Sequence, residues 1–114
     1  MAGKSLVRRR PLKSSVLRDI VQRVVDAAHP EKIILFGSAA RDEMGPNSDV
    51  DLLVVKPGKF NRRRLATKIY DYLYGAEAAV DVVIVTPEEV QRYRDAPGLV
   101  ICPALREGRI VYGA

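Results

Sequence analysis

Three short runs of strand-forming residues limit what this chain can fold into: Lys32-Ile33-Ile34-Leu35-Phe36, Val50-Asp51-Leu52-Leu53-Val54-Val55 and Val80 to Val85. Gly37-Ser38 closes the first, Pro57-Gly58 the second and Thr86-Pro87 the third, so each reads as a buried strand. Helical patterns fill the gaps. Leu17, Ile20, Val21, Val24, Val25 and Ala28 recur at three-and-four spacing. That helix is expected to be capped by Ser14 or Ser15, with Asp19 in its first turn and His29-Pro30 as its stop. Asn61 is the expected cap of a second helix with Leu65, Ile69 and Leu73 on one side, and Gly75 ends it. Thr86-Pro87-Glu88-Glu89 has the threonine, proline and glutamate of a capped helix start. In the tail, Pro97 can open a helix, but Pro103 would sit inside it and remove a backbone donor. Gly108 would end that helix and leave Arg109-Ile110-Val111-Tyr112 as a last strand. The order predicts a mixed α/β class.

At 114 residues there is room for one core. The expected division is a basic, flexible arm over 1–13 and a single domain over 14–114. With 47% hydrophobic and 29% charged residues the chain belongs with folded rather than disordered proteins. No apolar run is long enough for a bilayer, and no apolar stretch follows the basic N-terminus, so a cytoplasmic protein without a membrane partner is expected. The single Cys102 agrees, since it can form no internal disulfide. Net charge is +5, with Lys4, Arg8, Arg9, Arg10 and Lys13 in one cluster and Arg62, Arg63 and Arg64 in another. That excess favours anionic partners in general, although either cluster alone reads first as a solvated face.

The chemistry lies in the acidic residues of the strands. Asp49 and Asp51 stand two apart at the mouth of the second strand. Side chains alternate there, so both carboxylates project from one face while Val50 and Leu52 turn to the core. Two adjacent carboxylates repel each other, and a divalent cation between them relieves the repulsion; an all-oxygen donor set selects magnesium over zinc. Asp81 is the only charged residue in its apolar run, where a carboxylate needs a partner, a cation or a raised pKa. Sequential strands often neighbour each other, which would set Asp81 beside Asp51. Gly37-Ser38 follows the first strand and precedes Ala39-Ala40-Arg41. A glycine lets backbone approach a phosphate, N–H groups at a helix start attract anions, and Arg41 offers a planar fork to the same group. Neither a Walker-type loop nor Gly-x-Gly-x-x-Gly is present.

Taken together, Gly37-Ser38-Ala39-Ala40-Arg41, then Ser48-Asp49-Val50-Asp51-Leu52, then Asp81 resemble the motifs of the minimal nucleotidyltransferases of the DNA polymerase β superfamily. The resemblance runs from the first helix to the last strand. It implies the superfamily's nucleotidyltransferase fold, a small mixed sheet flanked by helices. It also implies that Gly37 and Ser38 hold the β- and γ-phosphates of ATP, with Arg41 at the same nucleotide site. Asp49, Asp51 and Asp81 would bind Mg2+, and Asp81 would help deprotonate the incoming hydroxyl in a two-metal displacement at the α-phosphate that releases pyrophosphate. Two positions depart from the pattern: Asp42 follows Arg41 where glycine is common, and Ala39 stands where a larger side chain is frequent.

The same resemblance suggests the acceptor. Minimal nucleotidyltransferases are often paired with a small helical HEPN protein, as antitoxins that adenylylate a tyrosine of that toxin. The expected function is therefore Mg2+-dependent transfer of AMP from ATP to a HEPN toxin, in a type VII-like antitoxin that forms a hetero-oligomer. A homodimer is an expected state of the chain alone. One alternative is a nucleotide-binding antitoxin that neutralises its partner only by covering it. Another is a small-molecule nucleotidyltransferase, disfavoured because no acceptor domain is present. Nucleic acid is not the expected partner, and binding through the basic arm would have to weaken steeply with salt. Tyr70 and Tyr74 share a helix face that Tyr72 does not, which favours core or partner packing over base stacking.

Overall fold

The computed structural model describes residues 12–41, 43, 49–96 and 98–114. The rest of the arm, Asp42, residues 44–48 with the motif residue Ser48, and Pro97 lie outside the described residues.

Four strands, β1 (Lys32–Phe36), β2 (Val50–Val55), β3 (Val80–Val85) and β4 (Arg109–Tyr112), form one sheet in the order β3-β2-β1-β4. β1 runs antiparallel to both β2 and β4, whereas β2 and β3 are parallel. The sheet is thus mixed, with helices on both faces, as the class read from the sequence requires. Side-chain alternation sorts the two faces. Ile33, Leu35, Val50, Leu52, Val54 and Ile84 join a buried cluster with Ile20 and Val24 of α1 (Ser14–Ala28) and Ile69 and Leu73 of α3 (Arg62–Leu73). On the opposite face, Ile34, Leu53, Val55 and Val85 pack with Ile101 and Ala104 of α5 (Ile101–Glu107), and α4 (Pro87–Tyr93) adds Val90 and Tyr93.

Local chemistry explains most helix ends. The Asn61 side chain accepts from the Arg64 N–H at 3.0 Å, and Gly75 at φ +87° carries the chain away from α3. Thr86 and Glu89 form the reciprocal capping box. α1 differs from expectation: its N-cap is Lys13, which makes no side-chain cap bond. The helix begins a residue or two early, so both serines are already helical and Asp19 falls beyond the first turn. Asp19 instead pairs with Arg23 at 2.8 Å, one turn further along. Leu12, assigned to the arm by its sequence, packs against the larger cluster. α5 tolerates Pro103 because it begins at Ile101, and the N–H groups of a first turn have no intrahelical acceptor to lose. Gly108 ends this helix, its N–H donating to the Ala104 carbonyl at 2.9 Å.

Arg23 also ties α1 to α3. Its Nη1 donates to the Tyr72 carbonyl at 3.0 Å and the Tyr74 carbonyl at 2.9 Å, satisfying acceptors that the end of α3 leaves free. Arg23→Ala is expected to cost about 1–2 kcal/mol. Thermal unfolding checks this, at roughly 4–8 °C per kcal/mol for a domain of this size.

Candidate active site

Asp51 lies on the inner strand β2 and Asp81 on the edge strand β3, and the parallel register sets them directly side by side. Paired strands run about 4.8 Å apart, so the two side chains leave the same face as neighbours. That face is the one α4 and α5 cover, and both aspartates stand at its end beyond the apolar residues Leu53, Val55 and Val85. Asp49 directly precedes β2 and is exposed. Val50 and Leu52 are fully buried, as alternation requires.

Asp51 is half-buried and Asp81 exposed. This corrects one expectation: Asp81 is not a carboxylate trapped in a buried strand, because β3 is an edge and its first residues are open to solvent. Burial raises the Asp51 pKa most, followed by the negative charges of Asp81 and then Asp49, while Arg41 acts in the opposite sense. Among the described residues, neither Asp51 nor Asp81 has an ion-pair partner.

The β1–α2 junction presses on this pair. α2 is a single turn, Gly37–Ala40, so none of its backbone N–H groups has a partner within the helix. Gly37 has φ +73°, and a Cβ added there would overlap the Asp51 carboxylate. Glycine is therefore required twice, for its backbone angle and for room. The Ala39 side chain is fully buried in the larger cluster, which accounts for a small residue where the resemblance leads one to expect a larger one. The Ser38 carbonyl accepts from the N–H groups of Arg41 at 3.1 Å and Glu43 at 2.8 Å, closing the turn that follows.

Arg41 points to other partners than its motif suggests. Its Nε donates to Glu43 at 3.1 Å and its Nη1 to Glu107 of α5 at 3.1 Å. The Glu43 bond is the first cause of its raised pKa. Glu107 has no motif around it and stands 66 residues away, so only the fold brings it here. Glu43, by contrast, stands only two residues after Arg41.

The donor set can be tested against a metal. Among the described residues, no three acidic, histidine or cysteine side chains converge as a finished metal cage. What is present is a register pair of hard oxygen donors with a third carboxylate, Asp49, near enough to repel Asp51. Magnesium is ordinarily held in that way, by one or two carboxylates with phosphate and water completing its octahedron. The residues fit it.

The tyrosines turn outward. Tyr70 is 42%, Tyr72 43% and Tyr74 88% exposed, so none is a core residue. Cys102 is buried, and among the described residues no helix is long and apolar enough to cross a membrane.

Known proteins agree with this architecture. A family model described as "Nucleotidyltransferase domain" matches residues 15–96. No curated protein matches by sequence. Among solved structures, a protein described as a nucleotidyltransferase from Sulfolobus solfataricus superposes with TM-score 0.58 at 20% identity, covering 87% of this chain and 78% of that one. A toxin–antitoxin crystallised with AMP-PNP gives TM-score 0.59 at 24% identity, over 85% of this chain and 73% of that one. A mutant of the MntA–HpeT toxin–antitoxin gives 0.56 at 22%, over 85% and 72%.

Proposed function

This chain belongs to the nucleotidyltransferase domain family, and from that premise we propose that it transfers AMP from ATP to a hydroxyl of a protein partner, a tyrosine of a HEPN-type toxin, and so acts as an antitoxin. The observation that carries the reading is the Asp51–Asp81 register pair, with the Gly37 turn packed against it. The N–H groups of α2 and the Ser38 hydroxyl bind the β- and γ-phosphates. That leaves the α-phosphorus over Asp51 and Asp81. The acceptor oxygen attacks there, the bond to the bridging oxygen breaks and pyrophosphate leaves, while Asp81 takes the hydroxyl proton. Magnesium, when held by Asp49, Asp51 and Asp81, supplies charge neutralisation for the triphosphate. Because Asp81 is exposed on an edge strand, a macromolecular hydroxyl can approach it from solvent. The toxin–antitoxin pairs of similar fold, one of them with an ATP analogue, support the choice of acceptor class.

A second reading has its own observation. Arg41 is held by two carboxylates rather than standing free. A chain whose arginine stays so engaged binds nucleotide weakly and neutralises its partner by contact alone.

The two readings separate in one assay. The protein with its copurifying partner is incubated with magnesium and α-labelled ATP, beside an Asp49→Ala/Asp51→Ala control. Label on the partner that disappears in the control supports the transferase; a tight complex that takes no label from any nucleotide supports the binding module.

A further inference from the structure

β3 has a backbone neighbour on one side only, yet its outer edge is not left to solvent. The phenolic oxygen of Tyr70 in α3 accepts the outward N–H of Val82 at 2.9 Å. Nη1 of Arg62, at the start of the same helix, donates to the outward carbonyl of Ile84 at 3.0 Å. Two side chains of one helix thus take the place of a missing strand. The two pins differ in what else they hold. Arg62 also pairs with Glu89 at 3.1 Å and lies over the Phe60 ring, so it fastens α4 and a loop as well as the strand. Among the described residues, the Tyr70 hydroxyl bonds only to the residue next to Asp81.

We propose that Tyr70 is a positioning residue for the carboxylate pair: its hydroxyl clamps the edge strand at Val82 and so holds Asp81 in register with Asp51. The proposal rests on the reading of Asp51 and Asp81 as metal ligands. Its physical basis is the load on this strand. Two neighbouring carboxylates of like charge push apart, and of the two strands only β3 is free to yield, because β2 is hydrogen-bonded on both sides. A bond to the N–H of residue 82 resists that displacement one residue from where the push is applied. The contact also explains why an aromatic with a hydroxyl stands at an exposed helical position: the ring spans the gap from α3 and the oxygen meets a donor that otherwise faces water.

The test uses Tyr70→Phe, which keeps the ring and removes the acceptor, beside Tyr72→Phe, the same change at an equally exposed tyrosine of α3 that makes no bond to β3. Three quantities are measured on the full chain: Mn2+ binding by electron paramagnetic resonance, hydrogen exchange at the Val82 amide, and thermal stability. Tyr70→Phe is expected to weaken Mn2+ binding about 3- to 10-fold, the equivalent of one neutral hydrogen bond, and to speed Val82 exchange. Tyr72→Phe is expected to match wild type in both. In the transfer assay Tyr70→Phe lowers kcat with KM for ATP unchanged, and raised magnesium recovers the rate. Mn2+ affinity equal to wild type overturns the proposal, whether or not stability falls, because the bond is then merely structural. A wild-type protein that binds Mn2+ but transfers nothing defeats the proposed function alone, and the Mn2+ ratio still decides the clamp. A wild type that binds no Mn2+ defeats both.

Discussion

Asp51→Asn is expected to abolish the proposed AMP transfer and, without divalent ions at neutral pH, to make the protein more stable. The loss of rate is expected at roughly 10²–10³-fold or beyond, the range for removing one group that stabilises developing charge. The gain in stability follows from the environment of Asp51. Burial and then the charges of Asp81 and Asp49 hold its folded pKa above the ordinary value. A carboxyl shifted in that direction favours folding fully only below its unfolded pKa; the advantage is lost as pH rises through the raised, folded pKa. At neutral pH the ionised side chain is therefore a burden that Asn does not carry. Thermal unfolding in chelator should give Asp51→Asn the higher Tm at pH 7, with the difference closing as pH falls through the carboxylate range. Added Mg2+ should raise Tm for wild type and not for the variant. A variant less stable than wild type in chelator at pH 7 would contradict this account of the site.

The second large effect is at Gly37. Gly37→Ala meets two penalties: a left-handed backbone at φ +73° and a Cβ that overlaps the Asp51 carboxylate. Gly58 is a matched control, with φ +91° and nothing within 4 Å of an added Cβ. Both alanine variants lose about 1–2 kcal/mol from the backbone angle. Only Gly37→Ala should also displace Asp51, and a shift of about 1 Å in a reacting group costs on the order of 10²-fold in rate. Transfer by Gly58→Ala at the wild-type rate, beside a Gly37→Ala protein that is folded but nearly inactive, is the expected pattern. Equal rates in the two variants would detach Gly37 from the site.

The contrast between these glycines also shows what the sequence could reveal. Val50, Asp51 and Leu52 declared their orientation through alternation alone, because a strand buried on both faces has no other way to arrange them. The caps at Asn61 and Thr86 were equally plain, since each satisfies its donors within three residues. Longer-range facts were not legible. Nothing near Asp81 indicated an edge strand, because an apolar run looks the same whether one or two neighbours flank it. Nothing near Ser14 indicated that Lys13 would be the cap. Arg41 carried the motif, but its partner Glu107 arrives from α5 through the fold. The Tyr70 hydroxyl needed knowledge of which β3 amide faced outward. Patterns with a period of two or of 3.6 can be read from a sequence; pairings across 12 or 66 residues need the tertiary structure.

The order of strands also dictates when the site comes into being. β1 and β2 are antiparallel neighbours, close in sequence, with only the single turn of α2 as a helix between them. Asp81 reaches Asp51 by a parallel pairing that must wait for α3 to cross over and dock, a far less local event. A nascent chain that has formed β1 and β2 already carries Asp51 but only half of the carboxylate pair. The pair is thus born late and as a unit with the crossover. A copy ending before β3 lacks Asp81, and with it the pair on which the proposed chemistry depends.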